Sequence, residues 1–146
     1  MDMTSRMSSH FDDAIDTFKA SAQALAEPLA TAVDMSFAAL VNNNKILACG
    51  NGGSAADAQH FVAERQVMAL GQPGDILVAI STSGNSPNVL RSIEAAHDRE
   101  MTVIALTGKG GGKIGEMLFE TDIHLCVPHD RTMRIQEVHI ILLHAL

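Results

Sequence analysis

Apolar residues recur at every third or fourth position through about the first forty residues, as in Phe11, Ile15 and Phe18. That spacing places them on one face of an α-helix. The stretch contains no glycine and only one proline, Pro28, which favours a helix break between Glu27 and Pro28. We therefore predict two N-terminal helices within residues 1–42, followed by a turn at the three asparagines 42–44.

After this turn the pattern changes to short, continuously apolar runs that alternate with helical segments. Strands are predicted over residues 45–49, 75–80, 102–106 and 122–127, and helices over about 55–70, 87–100, 113–118 and from about 134 onward. This alternation predicts an α/β core, about 45–146, in which a parallel sheet is covered by helices on both faces. Right-handed crossovers would bring the Gly- and Ser-rich loops together at the carboxyl edge of the sheet.

Two of these loops are dense in glycine and serine: GNGGS at residues 50–54 and STSGNS at residues 81–86. Glycines let the backbone approach an anion, and a helix start directs free N–H groups and the positive end of its dipole toward it. The alternative is that these residues only cap helices and form turns. Two such loops at one edge favour phosphate binding. Because neither is a Walker loop or a dinucleotide fingerprint, a small phosphorylated ligand is favoured over a nucleotide.

Polar side chains on two of the predicted helices are candidates for chemistry. His60 and Glu64 are four residues apart and share one helix face, where they can bind a metal or act as a base beside an acid. The alternative is an ordinary surface pair. In the last helix, Gln136, His139 and His144 lie among apolar residues. For His139 the default interpretation is a buried histidine whose hydrogen bonds are satisfied.

The spacing within the last helix limits any shared metal site. Gln136 and His144 are eight residues apart, which corresponds to roughly 12 Å of rise and about 80° of rotation. If both side chains bind one metal, we expect a bent helix or a neighbouring subunit.

Composition narrows the class of protein. The net charge is −7, from 10 basic and 17 acidic residues, so the basic footprint of a nucleic-acid binder is missing. Cys49 and Cys126 are too few for a disulfide framework and lie in apolar runs, which is typical of reduced core residues. No apolar run is long enough to span a bilayer, and the N-terminal stretch has no apolar signal region. We expect a cytoplasmic protein with a single domain, 1–146.

Four segments in order, GNGGSAADAQHFVAE, AISTSGNSPNV, VIALTGKGGG and RIQEVHIILLH, resemble the motifs of the phosphoheptose isomerases, a family of sugar-isomerase (SIS) domain proteins. The resemblance covers essentially the whole chain. It implies a flavodoxin-like three-layer sandwich, a homotetramer with active sites between subunits, and one zinc ion per subunit. The reaction it implies converts sedoheptulose 7-phosphate to D-glycero-D-manno-heptose 7-phosphate, the first step toward the heptose of bacterial lipopolysaccharide.

The same resemblance implies roles for individual residues. The substrate and its phosphate would contact residues of the two Gly/Ser loops and the last helix: Asn51, Gly52, Gly53, Ser54, Ser81, Thr82, Ser83, Ser86 and Gln136. Glu64 would be the general base and His144 the general acid of an enediol mechanism. The zinc ligands would be His60, Glu64, Gln136 and His144, although Gln is an uncommon zinc ligand.

Two departures from the family pattern matter. Family members carry several tens of further residues, with another strand, between the positions of Glu64 and Arg65, whereas AERQVMALG runs straight through here. The family's last helix also continues beyond the position of Leu146. A deletion would remove a strand and part of the site. The residues on both sides match their family positions. We therefore favour the alternative to a deletion, in which the natural chain carries the further segment between Glu64 and Arg65. Its intact mass would then exceed 15.5 kDa.

Two rival functions share this fold. One is a non-catalytic tetrameric SIS protein that binds the bacterial replication initiator, and the other is a sugar-phosphate sensor. The initiator-binding relative lacks the catalytic Glu and the final His, so Glu64 and His144 favour the enzyme. A sensor would keep the Ser/Thr loops without needing His60, Glu64 or His144.

Overall fold

The computed structural model describes residues 2–51 and 64–146, and within them four strands form one parallel sheet. The strands are β1 (Ile46–Gly50), β2 (Ile76–Ser81), β3 (Thr102–Thr107) and β4 (Ile123–Cys126), in the spatial order β1-β2-β3-β4. All three pairings are parallel, with Ile46 opposite Ile76 and Ile76 opposite Thr102. The predicted parallel sheet is confirmed, and each strand bound differs from the predicted one by at most one residue.

Helices cover both faces of this sheet. They are α1 (Met3–Val41), α2 (residues 64–70), α3 (Pro87–Asp98), α4 (Gly112–Met117) and α5 (Thr132–Ala145). One apolar core joins α1 and α5 to one face, and a second joins α2, α3 and α4 to the other. Right-handed crossovers between strands that follow one another in space and sequence put α2 to α4 on the same side. The three-layer α/β sandwich is therefore confirmed.

The N-terminal segment differs from its prediction. We predicted two helices with a break at Pro28, but α1 is one continuous helix of 39 residues that runs through this proline. Pro28 removes the hydrogen bond to the carbonyl of Ala24, which a helix interior normally keeps. Leu25 and Ala32 are buried on either side of it, 4% and 0% exposed, so packing against the core on both sides carries the helix across the lost bond.

The same helix bears on the question of a membrane. Over an 18-residue window α1 has a mean hydropathy of 1.4, so by length and composition alone it is able to cross a bilayer. This is weak evidence, because the core helix of a soluble protein passes the same test. One face of α1 packs against β4 and α5. The expectation that no segment spans a membrane stays a prediction.

Candidate functional site

A polar pocket of about 370 Å³ opens at the carboxyl edge of the sheet. The ends of β1 and β2, the β2–α3 loop and one face of α5 form its walls. Its lining residues are Asn51, Ile80, Ser81, Thr82, Ser86, Gln136, His139 and Ile140. Five of the predicted substrate-binding residues thus share one pocket: Asn51, Ser81, Thr82, Ser86 and Gln136.

The β2–α3 loop gives this pocket its hydroxyl groups and a helix start. The Ser81 and Ser86 hydroxyls hydrogen bond to each other at 2.8 Å. Ser86 is the N-cap of α3, yet its side chain makes no capping bond, and Pro87 occupies the first turn. The first backbone N–H groups of a helix have no partner within the helix itself. Here no side chain of the cap satisfies them, so this end of α3 is suited to an anion.

The third glycine-rich loop, between β3 and α4, supports the β2–α3 loop from behind. The backbone N–H of Ile114 donates to the carbonyl of Gly84 at 2.9 Å, and that of Lys113 donates to Asn85 Oδ1 at 3.1 Å. Gly84 has φ of +65°, and a Cβ there would lie 1.8 Å from the carbonyl oxygen of Gly111. We expected all the Gly-rich loops to form one wall of the site. Instead, this loop holds the wall in place without lining the pocket.

Asn51 is held in the pocket by a residue that the sequence did not single out. Its side-chain amide exchanges two hydrogen bonds with the amide of Asn88, one of them at 3.0 Å. Asn88 is 2% exposed and lies in the first turn of α3. An amide on the buried face of a helix, next to the cap of a Ser-rich loop, was the signal that could have found it.

His139 lies on α5 and also lines the pocket. It is 3% exposed, and its Nε2 lies 3.0 Å from the carbonyl oxygen of Thr107 at the end of β3. Burial lowers the pKa of His139 below its usual value, although the bond to Thr107 opposes this shift. The predicted buried and satisfied histidine is confirmed, and its position at the pocket is new.

The remaining predicted site residues lie elsewhere. Glu64 Oε2 accepts a hydrogen bond from Arg91 Nε at 3.1 Å, and both side chains are partly exposed. His144 is exposed near the end of α5, and Ser83 turns its hydroxyl toward the N–H of Asn85 at 3.2 Å. None of these three lines the pocket. His60, Gly52, Gly53 and Ser54 lie outside the described residues.

The four residues expected to bind zinc have suitable donor atoms: imidazole nitrogens, a carboxylate and an amide oxygen. Within residues 2–51 and 64–146, no group of three or more His, Cys, Asp or Glu side chains is placed to hold a metal. Gln136 and His144 lie on one uninterrupted helix, so the rise of about 12 Å between them stands. Both expectations, a bend in this helix and completion of the site by a neighbouring subunit, stay predictions.

Comparison with known proteins gives a consistent result. The SIS domain family model matches residues 9–65 and 62–108. Phosphoheptose isomerase from Bordetella avium is 61% identical over 184 residues, which cover 100% of this chain and 93% of the relative. Among solved structures, phosphoheptose isomerase GmhA from Neisseria gonorrhoeae superposes with a TM-score of 0.88 at 46% identity, covering 99% of this chain and 96% of the other. The enzyme from Francisella tularensis gives 0.88 at 36% identity, with 99% and 95% covered.

One detail of these matches concerns the junction of Glu64 and Arg65, and a second concerns the length of the alignment. The two matched pieces of the family model overlap at residues 62–65. The alignment to the Bordetella avium enzyme runs over 184 positions, more than the 146 residues of this chain. These relatives therefore have positions without a counterpart here. That the natural chain carries a segment at this junction stays a prediction, for which an intact mass is the test.

Proposed function

We propose a specific reaction for this chain, which belongs to the phosphoheptose isomerase family of SIS-domain proteins and is an isomerase of sugar phosphates. The reaction is the conversion of sedoheptulose 7-phosphate to D-glycero-D-manno-heptose 7-phosphate, the first step of lipopolysaccharide heptose synthesis. The observation that supports it most is the pocket in which the serine loop, the start of α3 and the polar face of α5 meet.

The phosphate of the substrate would bind at the β2–α3 loop. Ser81, Thr82 and Ser86 line the pocket with hydroxyl groups, and Ser83 lies in the same loop. The start of α3 adds backbone N–H groups that the Ser86 side chain does not cap, and a positive dipole end. Gly52, Gly53 and Ser54 would complete the cradle from the loop after β1. Asn51 and Gln136 would contact the sugar.

The proposed chemistry moves one proton between two carbons. Glu64 as general base would take a proton from C1 of the ketose while His144 as general acid protonates the carbonyl oxygen on C2, which gives an enediol. The proton then returns to C2 as the hydroxyl on C1 loses its own and becomes the aldehyde. Atoms and electrons balance within the sugar, so no external oxidant or reductant is needed.

A zinc ion would be held by His60, Glu64, Gln136 and His144, and when bound it would stabilise negative charge on the enediolate oxygens. The side chains of Gln136 and His144 make no hydrogen bond within the described part of the chain, which leaves their donor atoms available. To bind zinc, the Glu64 carboxylate would give up its hydrogen bond with Arg91.

The apolar surface of α1 and α5 supports a homotetramer with active sites between subunits. A groove of about 400 Å³ between these helices is lined by Phe18, Leu25, Leu29 and Ile141, among others. Phe11, Ile15 and Phe18 on α1 are exposed, which is unfavourable unless a second copy covers them.

The enzyme would act in the cytoplasm. The buried thiol of Cys49, whose pKa burial raises to about 11, is consistent with a reduced core residue.

The test is an isomerase assay on sedoheptulose 7-phosphate, followed by NMR, with zinc present and with a chelator. We expect aldose heptose phosphate to form and turnover to fall with the chelator. Glu64→Gln should lower kcat by about 10²- to 10⁴-fold, the usual contribution of a general base, while sugar-phosphate binding measured by calorimetry persists.

Glu94→Gln is the matched control, because it removes the same charge from an exposed site on α3 and should leave kcat unchanged. If Glu64→Gln turns over substrate at the rate of the natural enzyme, Glu64 is not the general base. Binding without turnover by the natural tetramer would favour the sugar-phosphate sensor, and neither binding nor turnover would favour the initiator-binding role.

A further inference from the structure

His139 is a polar group on the pocket wall, and the proposed function assigns it no role in substrate binding. We propose that His139 binds a hydroxyl of the sugar chain through Nδ1, acting as a fixed hydrogen-bond acceptor that separates sugar phosphates from phosphate alone. This inference rests on the proposed function for the identity of the ligand. His139 lines the same pocket as Ser81, Ser86 and Gln136.

The tautomer of His139 follows from its partner. Nε2 lies 3.0 Å from the carbonyl oxygen of Thr107, and a carbonyl oxygen only accepts hydrogen bonds. The proton therefore sits on Nε2. In a neutral imidazole the other nitrogen is then an acceptor. Burial, which disfavours the imidazolium, keeps the ring in this form.

The Thr107 carbonyl is itself fixed. It also accepts the backbone N–H of Val127 at 3.0 Å, and Thr107 is fully buried at the end of β3. His139 is thus tied to the sheet, and its side chain loses little freedom when a ligand binds. A hydrogen bond made by such a group is worth more than one made by a mobile side chain.

The other acceptors of this pocket are either already engaged or not held in place: the oxygens of Thr82 and Gln136 have no hydrogen bond within the described part of the chain to fix them. The Ser81 and Ser86 hydroxyls are paired with each other, and the Asn51 amide is paired with Asn88. The start of α3 offers only donors. In the described part of the chain Nδ1 of His139 has no hydrogen-bond partner. A sugar chain carries several hydroxyls, each of which must donate a hydrogen bond when it leaves water, whereas inorganic phosphate makes no such demand at His139.

Two substitutions separate this role from a structural one. In a glutamine the amide nitrogen takes the place of Nε2, so His139→Gln keeps the donor to Thr107 and removes the Nδ1 acceptor. In an asparagine the amide end takes the place of Nδ1, so His139→Asn keeps an acceptor and loses the tie to Thr107. His97→Gln is the matched control, because His97 is nearly buried beside Asp122 at the opposite edge of the sheet.

The experiment is calorimetric binding of sedoheptulose 7-phosphate and of inorganic phosphate to the full chain and these variants, with kcat and KM where turnover is measurable. We expect His139→Gln to weaken sugar-phosphate binding about tenfold, which is what one hydrogen bond to a fixed acceptor contributes, and to leave phosphate binding within about twofold. KM should rise more than kcat falls. His139→Asn should bind the sugar phosphate more tightly than His139→Gln and melt at a lower temperature, and His97→Gln should change neither affinity.

Equal affinities of His139→Gln and the natural protein for the sugar phosphate would overturn the inference. Equal weakening toward both ligands would also overturn it, since that is the result of a structural role. If the natural protein binds phosphate but not sedoheptulose 7-phosphate, the failure lies in the proposed substrate, and the role of His139 falls with it.

Discussion

The two edges of the sheet differ in which polar side chains they bury and in how many hydrogen-bond partners those side chains have. At the amino edge, the Asp75 carboxylate accepts the backbone N–H groups of Lys45 and Gln72 and the ammonium of Lys45. At the same edge, the Asp122 carboxylate accepts the N–H groups of Val103 and Phe119 and lies 2.7 Å from His97 Nε2. Both carboxylates are 1% exposed and have three partners each.

At the carboxyl edge, neutral groups take the place of carboxylates. Ser81 pairs with Ser86 and Asn51 with Asn88, and each pair keeps further donor or acceptor capacity beside the pocket. Fully paired buried groups stabilise a fold, whereas partly paired groups beside a pocket are available to a ligand. Among the described residues, the edge that carries no buried carboxylate is therefore the one suited to a phosphate, since a carboxylate there would repel it.

Among the substitutions that test this difference between the edges, Gly84→Ala is expected to have the largest effect on phosphate affinity and on stability. A Cβ at residue 84 would overlap the carbonyl of Gly111, so the β2–α3 loop must move away from the β3–α4 loop. We expect phosphate affinity to fall at least about tenfold and the free energy of unfolding to fall by more than about 3 kcal/mol. Calorimetry and urea denaturation measure both.

Gly110→Ala is the matched control for that prediction. Gly110 also has a positive φ, +74°, but a Cβ there has no atom within 4 Å. Only backbone strain of about 1–2 kcal/mol is expected, with phosphate affinity retained. A Gly84→Ala protein that binds phosphate as well as Gly110→Ala would show that the docked loop is not the phosphate site.

At the other edge, Asp75→Asn should destabilise the protein by about 2 kcal/mol and leave phosphate affinity unchanged. An amide cannot accept all three donors, because one of its ends is itself a donor. Lys45 is partly exposed, so its ion pair adds little and the backbone bonds dominate. Urea denaturation measures the first effect and calorimetry the second. Loss of phosphate binding in Asp75→Asn would contradict the proposal that only the carboxyl edge takes part in phosphate binding.

The pH dependence of stability sharpens this prediction. Burial raises the pKa of Asp75, but the hydrogen bonds from Lys45 and Gln72 outweigh it and hold the pKa below its ordinary value of 3.8. The stabilisation is therefore complete above pH 3.8 and is lost as the pH falls through the lower, folded-state pKa. Asp75→Asn should flatten this part of the curve, and an unchanged curve would assign the acid sensitivity to other groups.

The smallest effect is expected from Asn88→Ala, which leaves the Asn51 amide without its partner. Asn51 then loses its fixed orientation in the pocket, and we expect sugar-phosphate affinity to fall about threefold to tenfold. Asn42→Ala, which removes a side-chain bond to the carbonyl of Ala38 at the end of α1, is the control and should not change affinity. An unchanged affinity in Asn88→Ala would mean that Asn51 does not contact the sugar.

Much of this architecture could be predicted from local pattern. Continuous apolar runs identify β2 and β3, whose residues are almost all buried, and the STSGNS loop identifies the wall of the pocket. Pro28 misled the prediction, because the buried stripe of α1 on both sides of it is a tertiary feature. Asn88 was missed as the partner of Asn51, and His139 was missed as a pocket residue, since their roles depend on contacts with Asn51 and Thr107, 37 and 32 residues away.

We propose that the carboxyl edge, between the β2–α3 loop and α5, binds the sugar phosphate. The most direct measurement is an NMR titration of the isotope-labelled protein with sedoheptulose 7-phosphate, which follows backbone amide and histidine ring resonances. The backbone amides of residues 81–86, 88 and 89 and the ring of His139 should shift together, while the amides of Gln72, Val103 and Phe119 stay in place. Shifts confined to the amino edge, or none at residues 81–89 at saturating ligand, would contradict the claim.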